Sequence, residues 1–235
     1  RVGFYVSLLH KCVIDAVRTA AYSGDRINRT YWENHFMAKT IIYIHGKGGN
    51  AEEAIHYKPL FGNCDIIGFD YESQTPWEAR EEFPKFFDTV CRNAQPVEII
   101  ATSIGAFFAM NALTDKKISK AYFISPVVDM KKLISDMMLW ANVTEEELKC
   151  RKNISTAFGE TLSWEYLCYV KEHPVAWNVP THILYGDRDS LTSYETISCF
   201  ADQIGATLTV MKGGEHWFHT DNQMAFLDQW IKKYI

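Results

Sequence analysis

Residues 97–110 read VEIIATSIGAFFAM. The β-branched apolar run VEIIA has the composition of a buried strand. Small and aromatic residues follow, and GAFFAMNAL (105–113) reads as a helix. Ser103 stands between the two. A serine there has two uses. Its hydroxyl can cap the helix by accepting a bond from an unpaired backbone N–H. It can also be held out on a tight strand-to-helix turn, where it is available to react. The rest of the chain decides between them.

Similar apolar runs recur on both sides. TIIYIHG (40–46), CDIIGFD (64–70), KAYFISP (120–126), THILYGD (181–187) and ATLTVMKG (206–213) all read as strands closed by turn residues. Helical stretches separate them. NAEEAIHYKPL (50–60) is limited by Pro59, and NQMAFLDQWIKKYI (222–235) is the last. TPWEAREEFPKFFDTVCRNA (75–94) has an apolar side of Trp77, Phe83, Phe86, Phe87 and Val90. Pro84 lies inside it, which predicts a helix that either starts late or kinks. Strands alternating with helices imply an α/β fold, a mostly parallel central sheet with helices on both faces. Strands that are apolar nearly throughout agree with that, since both faces are covered.

The alternation fails from about residue 129 to 178. This stretch is largely helical in character and rich in Met, Trp and Tyr, among them Trp140, Trp164, Tyr166 and Trp177. It is expected to be a small helical cap inserted over the carboxyl ends of the strands, with its large side chains walling the site. Residues 1–36 are expected to be an N-terminal extension, helical at its start and dispensable for a domain of residues 37–235. Val2, Tyr5, Val6, Leu9, Val13, Ala16, Val17 and Ala20 recur there at helical spacing.

Composition narrows the function. The 235 residues carry a formal net charge of −5 and no basic stripe, which argues against a nucleic-acid partner. No run of about 20 apolar residues is present to span a bilayer. The six cysteines are spread singly, with no C-x-x-C pair. They read as reduced, mostly buried thiols of a cytoplasmic protein.

In a parallel sheet covered on both faces, ligands bind beyond the carboxyl ends of the strands. Four segments fall there: HGKGG (45–49), Ser103 with its neighbours, GDRDS (186–190) and GGEHWFH (213–219). Each has a bland reading as a turn or cap. HGKGG lacks the spacing of a phosphate-binding loop, in which Lys precedes Ser or Thr. His216 and His219 lack a third metal ligand nearby. Ser125, followed by Pro126, reads as a turn residue, and Cys91 and Cys199 as core. Jointly, however, a serine, an acid and a histidine occur in one order, each after its own strand.

HGKGG, ATSIGA, YGDRDS and GGEHWF, in that order, resemble the α/β-hydrolase superfamily over residues 39–235. One position departs: Ala101 stands where the pattern G-x-S-x-G has its first glycine. Ala adds only a methyl group, and Gly105 keeps the second glycine. The resemblance implies a small esterase-like serine hydrolase that needs no cofactor or metal. It implies Ser103 as nucleophile, His216 as base, and the backbone N–H groups of Lys47 and Ile104 as oxyanion donors. Counting Gly-x-x-acid from Gly186 implies Asp189 as the acid, with Asp187 as the alternative and better suited to shaping the turn. The physics agrees: a serine hydroxyl needs a base, imidazole titrates near neutrality, and a carboxylate fixes its tautomer. A thioesterase, a peptidase, or a receptor that barely turns over would be alternatives on the same fold.

Overall fold

Six of the apolar runs become strands of one sheet in the computed structural model, which describes residues 39–91 and 96–235. They are β1 Thr40–Ile44, β2 Asp65–Phe69, β3 Val97–Thr102, β4 Ile118–Ile124, β7 Thr181–Gly186 and β8 Thr207–Met211. Their order across the sheet is β2-β1-β3-β4-β7-β8, and every pairing is parallel. The helices are α1 Ala54–Tyr57, α2 Pro76–Val90, α3 Ser103–Ala112, α4 Met130–Trp140, α5 Glu145–Arg151, α6 Trp164–Glu172, α7 Tyr194–Ile204 and α8 Asp221–Tyr234.

Alternation along each strand builds two cores. One face sends Ile42, Ile44, Ile99, Ala101 and Phe123 against Phe83 and Phe87 of α2, Phe107 of α3 and Ile197 of α7. The other sends Ile41, Tyr43, Ile100 and Tyr122 against Tyr57 of α1 and Trp230 and Ile231 of α8. Fully burying side chains of this kind contributes about 1.5–3 kcal/mol each. The central α3 is buried continuously from Gly105 to Asn111, because it lies between the sheet and further packed elements.

Several expectations need correction. α2 does not start late at Pro84. It begins at Pro76, because Thr75 and Glu78 form a reciprocal capping box there. α3 begins at Ser103 itself, two residues before the glycine. The segment after β4 contains, besides α4, α5 and α6, an antiparallel hairpin of β5 Asn153–Ser155 and β6 Thr161–Ser163. Its large side chains do not form one wall. Trp177 packs on Phe123 of the sheet, whereas Leu139, Trp140 and Phe158 are exposed. None of the five described cysteines is buried, and Cys199 is exposed on α7 because Ile197, Phe200 and Ala201 take that helix's core stripe. The expected N-terminal extension lies outside the described residues.

Candidate active site

β3 must turn sharply into α3, and Ser103 takes the strain. Its φ is +48°, a left-handed conformation that a side chain other than glycine's adopts at a cost of about 1–3 kcal/mol. Two neighbours make the turn possible. A Cβ on Gly105 would lie 2.2 Å from the carbonyl oxygen of His45, so no larger residue fits. Ala101 is fully buried between Ile44 of β1 and Phe123 of β4, and its methyl is accommodated there. The carbonyl of Ser103 is held in turn by the Val127 N–H at 3.1 Å. Ser125, read as an ordinary turn residue, is 1% exposed at φ +43°, with no partner for its hydroxyl among the described residues.

The loop after β8 brings His216 over the turn. Its Nε2 lies 2.8 Å from Ser103 Oγ, and its Nδ1 lies 2.7 Å from Asp189 Oδ2. A carboxylate oxygen only accepts, so Nδ1 carries the hydrogen and Nε2 of the neutral ring is free to accept from the serine. The Asp189 side chain has no exposed surface. Its Oδ1 accepts from the N–H groups of Leu191 at 2.8 Å and Thr192 at 3.0 Å. Three hydrogen bonds thus fix its plane.

Asp187 is turned elsewhere. It is exposed, and its Oδ1 accepts from the Gly213 N–H at 2.6 Å, clamping the β7 loop to the β8 loop. Arg188 is exposed and donates its backbone N–H to Gly214 at 2.8 Å. Burial, then Asp189 and Asp187, raise the pKa of the Tyr185 phenol, which donates to the Thr192 carbonyl at 2.9 Å. That bond steadies the loop carrying Asp189.

HGKGG lies on the other side of Ser103. A Cβ on Gly46 would come within 3.2 Å of Ser103 Cβ, which measures how near the loop runs. Its turn closes with the Gly49 N–H on the Gly46 carbonyl at 3.1 Å and leaves the Lys47 N–H out of that bond. Ile104 is the second residue of α3, so its N–H belongs to the first turn, which has no intrahelical acceptor. The Lys47 side chain reaches Glu160 in the β5–β6 turn, 2.5 Å from both carboxylate oxygens. His219 bonds the Trp217 carbonyl, and no metal-binding group of three His, Cys, Asp or Glu occurs among the described residues.

Sequence reasoning gave no role to His45 or Tyr71. His45 stacks on Tyr71, with ring centroids 4.2 Å apart, and the Tyr71 hydroxyl donates to the His45 carbonyl at 2.9 Å. Tyr71 follows β2, so the same rule that singled out the other post-strand segments applies to FDYES as well.

No family model and no curated protein matches the chain. Solved structures do. Est1E from Butyrivibrio proteoclasticus is 16% identical with a TM-score of 0.67, over 84% of this chain and 86% of that one. Alpha/beta hydrolase domain-containing protein 10 from mouse is 17% identical with a TM-score of 0.66, over 83% and 88%. A putative hydrolase from Agrobacterium vitis is 15% identical with a TM-score of 0.68, over 83% and 87%. A parallel six-stranded sheet with a serine at the turn after its third strand in sequence, matched over this much of each chain, is the α/β-hydrolase fold.

Proposed function

We propose that the chain is a serine hydrolase that cleaves a small ester. The observation that carries this reading is the relay Asp189–His216–Ser103, with bonds of 2.7 and 2.8 Å, on a strained strand-to-helix turn. Ser103 Oγ attacks the acyl carbon while His216 Nε2 takes its proton. The carbonyl π pair moves to oxygen, and the N–H groups of Lys47 and Ile104 stabilise that oxyanion. The oxyanion collapses, the C–O bond to the alcohol breaks, and the alcohol leaves with the proton from Nε2. Water then attacks the acyl-enzyme, giving its proton to Nε2, and Ser103 recovers its hydrogen as the acid departs. Each oxyanion donor is worth about a hundredfold or more in rate.

The names of similar structures, a putative hydrolase, a lipase-esterase related protein and an esterase among them, support hydrolysis as the class. Thioester cleavage on the same residues is the second reading, supported by similarity to a thioesterase domain from the curacin biosynthetic pathway at 16% identity and a TM-score of 0.51. We also infer a cytoplasmic protein acting on a small acyl substrate without a nucleic-acid or membrane partner. The five described cysteines form no disulfide with one another, which supports the compartment. Among the described residues no helix is long and apolar enough to cross a membrane. The test is a fluorophosphonate probe, followed by p-nitrophenyl esters of increasing chain length beside thioester and aminopeptidase panels. Labelling that Ser103→Ala abolishes, with ester turnover, is the expected result; a folded protein that neither labels nor turns over any substrate would overturn the reading.

A further inference from the structure

The oxyanion reading gives the Lys47 N–H a task, and that N–H shares a peptide plane with the Gly46 carbonyl. In a trans peptide the two point in opposite directions, so whatever holds the carbonyl also aims the N–H. Glycines at 46, 48 and 49 flank this plane, and Gly48 stands at φ +77°. Glycine backbone turns easily, and a flipped plane would offer a carbonyl instead of a donor to the developing oxyanion.

Two bonds hold the Gly46 carbonyl. The Gly49 N–H donates to it at 3.1 Å, and the His45 ring places Nδ1 2.8 Å from it. A carbonyl only accepts, so Nδ1 carries the hydrogen and both lone pairs of the oxygen are taken. The ring itself is fixed. It is buried and stacked on Tyr71, with centroids 4.2 Å and planes 10° apart. The Tyr71 hydroxyl donates to the His45 carbonyl at 2.9 Å. That carbonyl is also where α3 packs, since a Cβ on Gly105 would lie 2.2 Å from it. Ser103 and Ile104 open the same helix. His45 therefore ties the Lys47 peptide to the element that carries the nucleophile and the other donor.

We propose that His45 is a positioning residue for the hydrolysis: its Nδ1 holds the Gly46 carbonyl and so aims the Lys47 N–H at the oxyanion. The inference rests on the serine-hydrolase reading above.

The test compares His45→Leu, which fills the space without a donor, with His45→Asn, whose side-chain amide nitrogen stands at the Nδ1 position. Rates are taken per site labelled by the fluorophosphonate, so that unfolded protein does not count. With the p-nitrophenyl ester that the native protein cleaves fastest, His45→Leu should lower kcat about tenfold or more at unchanged KM, because the donor acts on the transition state. The rate constant of fluorophosphonate labelling should fall with it, since the phosphonyl oxygen takes the place of the oxyanion. His45→Asn should recover most of both. His45→Gln, whose amide nitrogen reaches the Nε2 position instead, should behave as His45→Leu and replaces it if the leucine variant does not fold. A kcat within about twofold of native in the variants without the donor overturns the role. So does a loss confined to KM, or one that His45→Asn shares in full. Amide exchange gives a readout apart from turnover. The Gly49 N–H bonds the Gly46 carbonyl, so it should exchange faster in His45→Leu and not in His45→Asn. Exchange that is the same in all of them overturns the proposal. If the native protein takes no fluorophosphonate label and cleaves no ester, the hydrolase reading has failed instead, and the Gly49 exchange alone decides whether His45 holds the plane.

Discussion

Ser103 holds an unfavourable backbone conformation at the one point where a strand must deliver a hydroxyl to a histidine. In the proposed reading that strain is functional, and replacing the side chain leaves the turn intact. Ser103→Ala is therefore expected to lower ester turnover by several orders of magnitude in protein with an unchanged circular dichroism spectrum. Turnover within about tenfold of the native rate would remove Ser103 from the reaction. The two aspartates separate by partner. Asp189→Asn keeps the shape but offers the wrong group to Nδ1, a change worth about ten-thousandfold in a related triad. Asp187→Asn weakens the clamp on Gly213 and is expected to cost about 1 kcal/mol of stability with little change in kcat. Steady-state rates beside thermal unfolding distinguish them; a large rate loss confined to Asp187→Asn would reverse the assignment.

Close approach and capping decide the elements. Gly105 of α3 packs its Cα against backbone, the His45 carbonyl, which cannot move aside as a side chain can. Gly105→Ala is expected to destabilise the fold by about 1–3 kcal/mol or more. A thermal midpoint unchanged from the native protein would show that the α3–β1 contact is looser than its geometry states. At the start of α2, Thr75→Ala removes one half of the capping box, at about 1 kcal/mol. The other half responds to pH. Bonds from the Gln74 backbone, then from the Thr75 side chain and backbone, lower the Glu78 pKa in the folded state. Its contribution is thus fully present above the unfolded value of 4.5 and fades as pH falls through the lower folded one. Stability measured from pH 6 downward should fall less steeply in Glu78→Gln than in the native protein, and parallel curves would refute the box. Pro84 inside the stretch leaves a late start and a kink equally open in the sequence, and the capping box decides the start.

Residues 39–235 are built on one parallel six-stranded sheet, and Ser103, Asp189 and His216 meet beyond the carboxyl ends of its strands. Ser103 opens α3 while Asp189 and His216 lie on two later loops, up to 113 positions away in the chain, yet the three meet within hydrogen-bond distance. Residues 1–36 belong to no described element. Expression from Met37 is expected to give soluble protein with the native thermal midpoint and ester turnover. An insoluble or unfolded product would mean that the segment is part of the folding unit.

The sequence by itself determined the alternation of strand and helix, because buried parallel strands must be apolar and their turns must carry Gly, Asp or Pro. It also determined the serine, acid and histidine after their strands, because a parallel sheet leaves only its carboxyl ends for chemistry. It could not determine which aspartate faces His216, since Asp187 and Asp189 have the same chemistry and differ only in where the loop points them. Nor could it give the β5–β6 hairpin, the Lys47–Glu160 pair or the stacking of His45 on Tyr71. Those are contacts between segments distant in the chain, and side-chain period records which face of an element is buried but not which partner buries it. The tertiary structure decided them, by bringing the cap, the post-β2 loop and the HGKGG loop to one corner of the sheet.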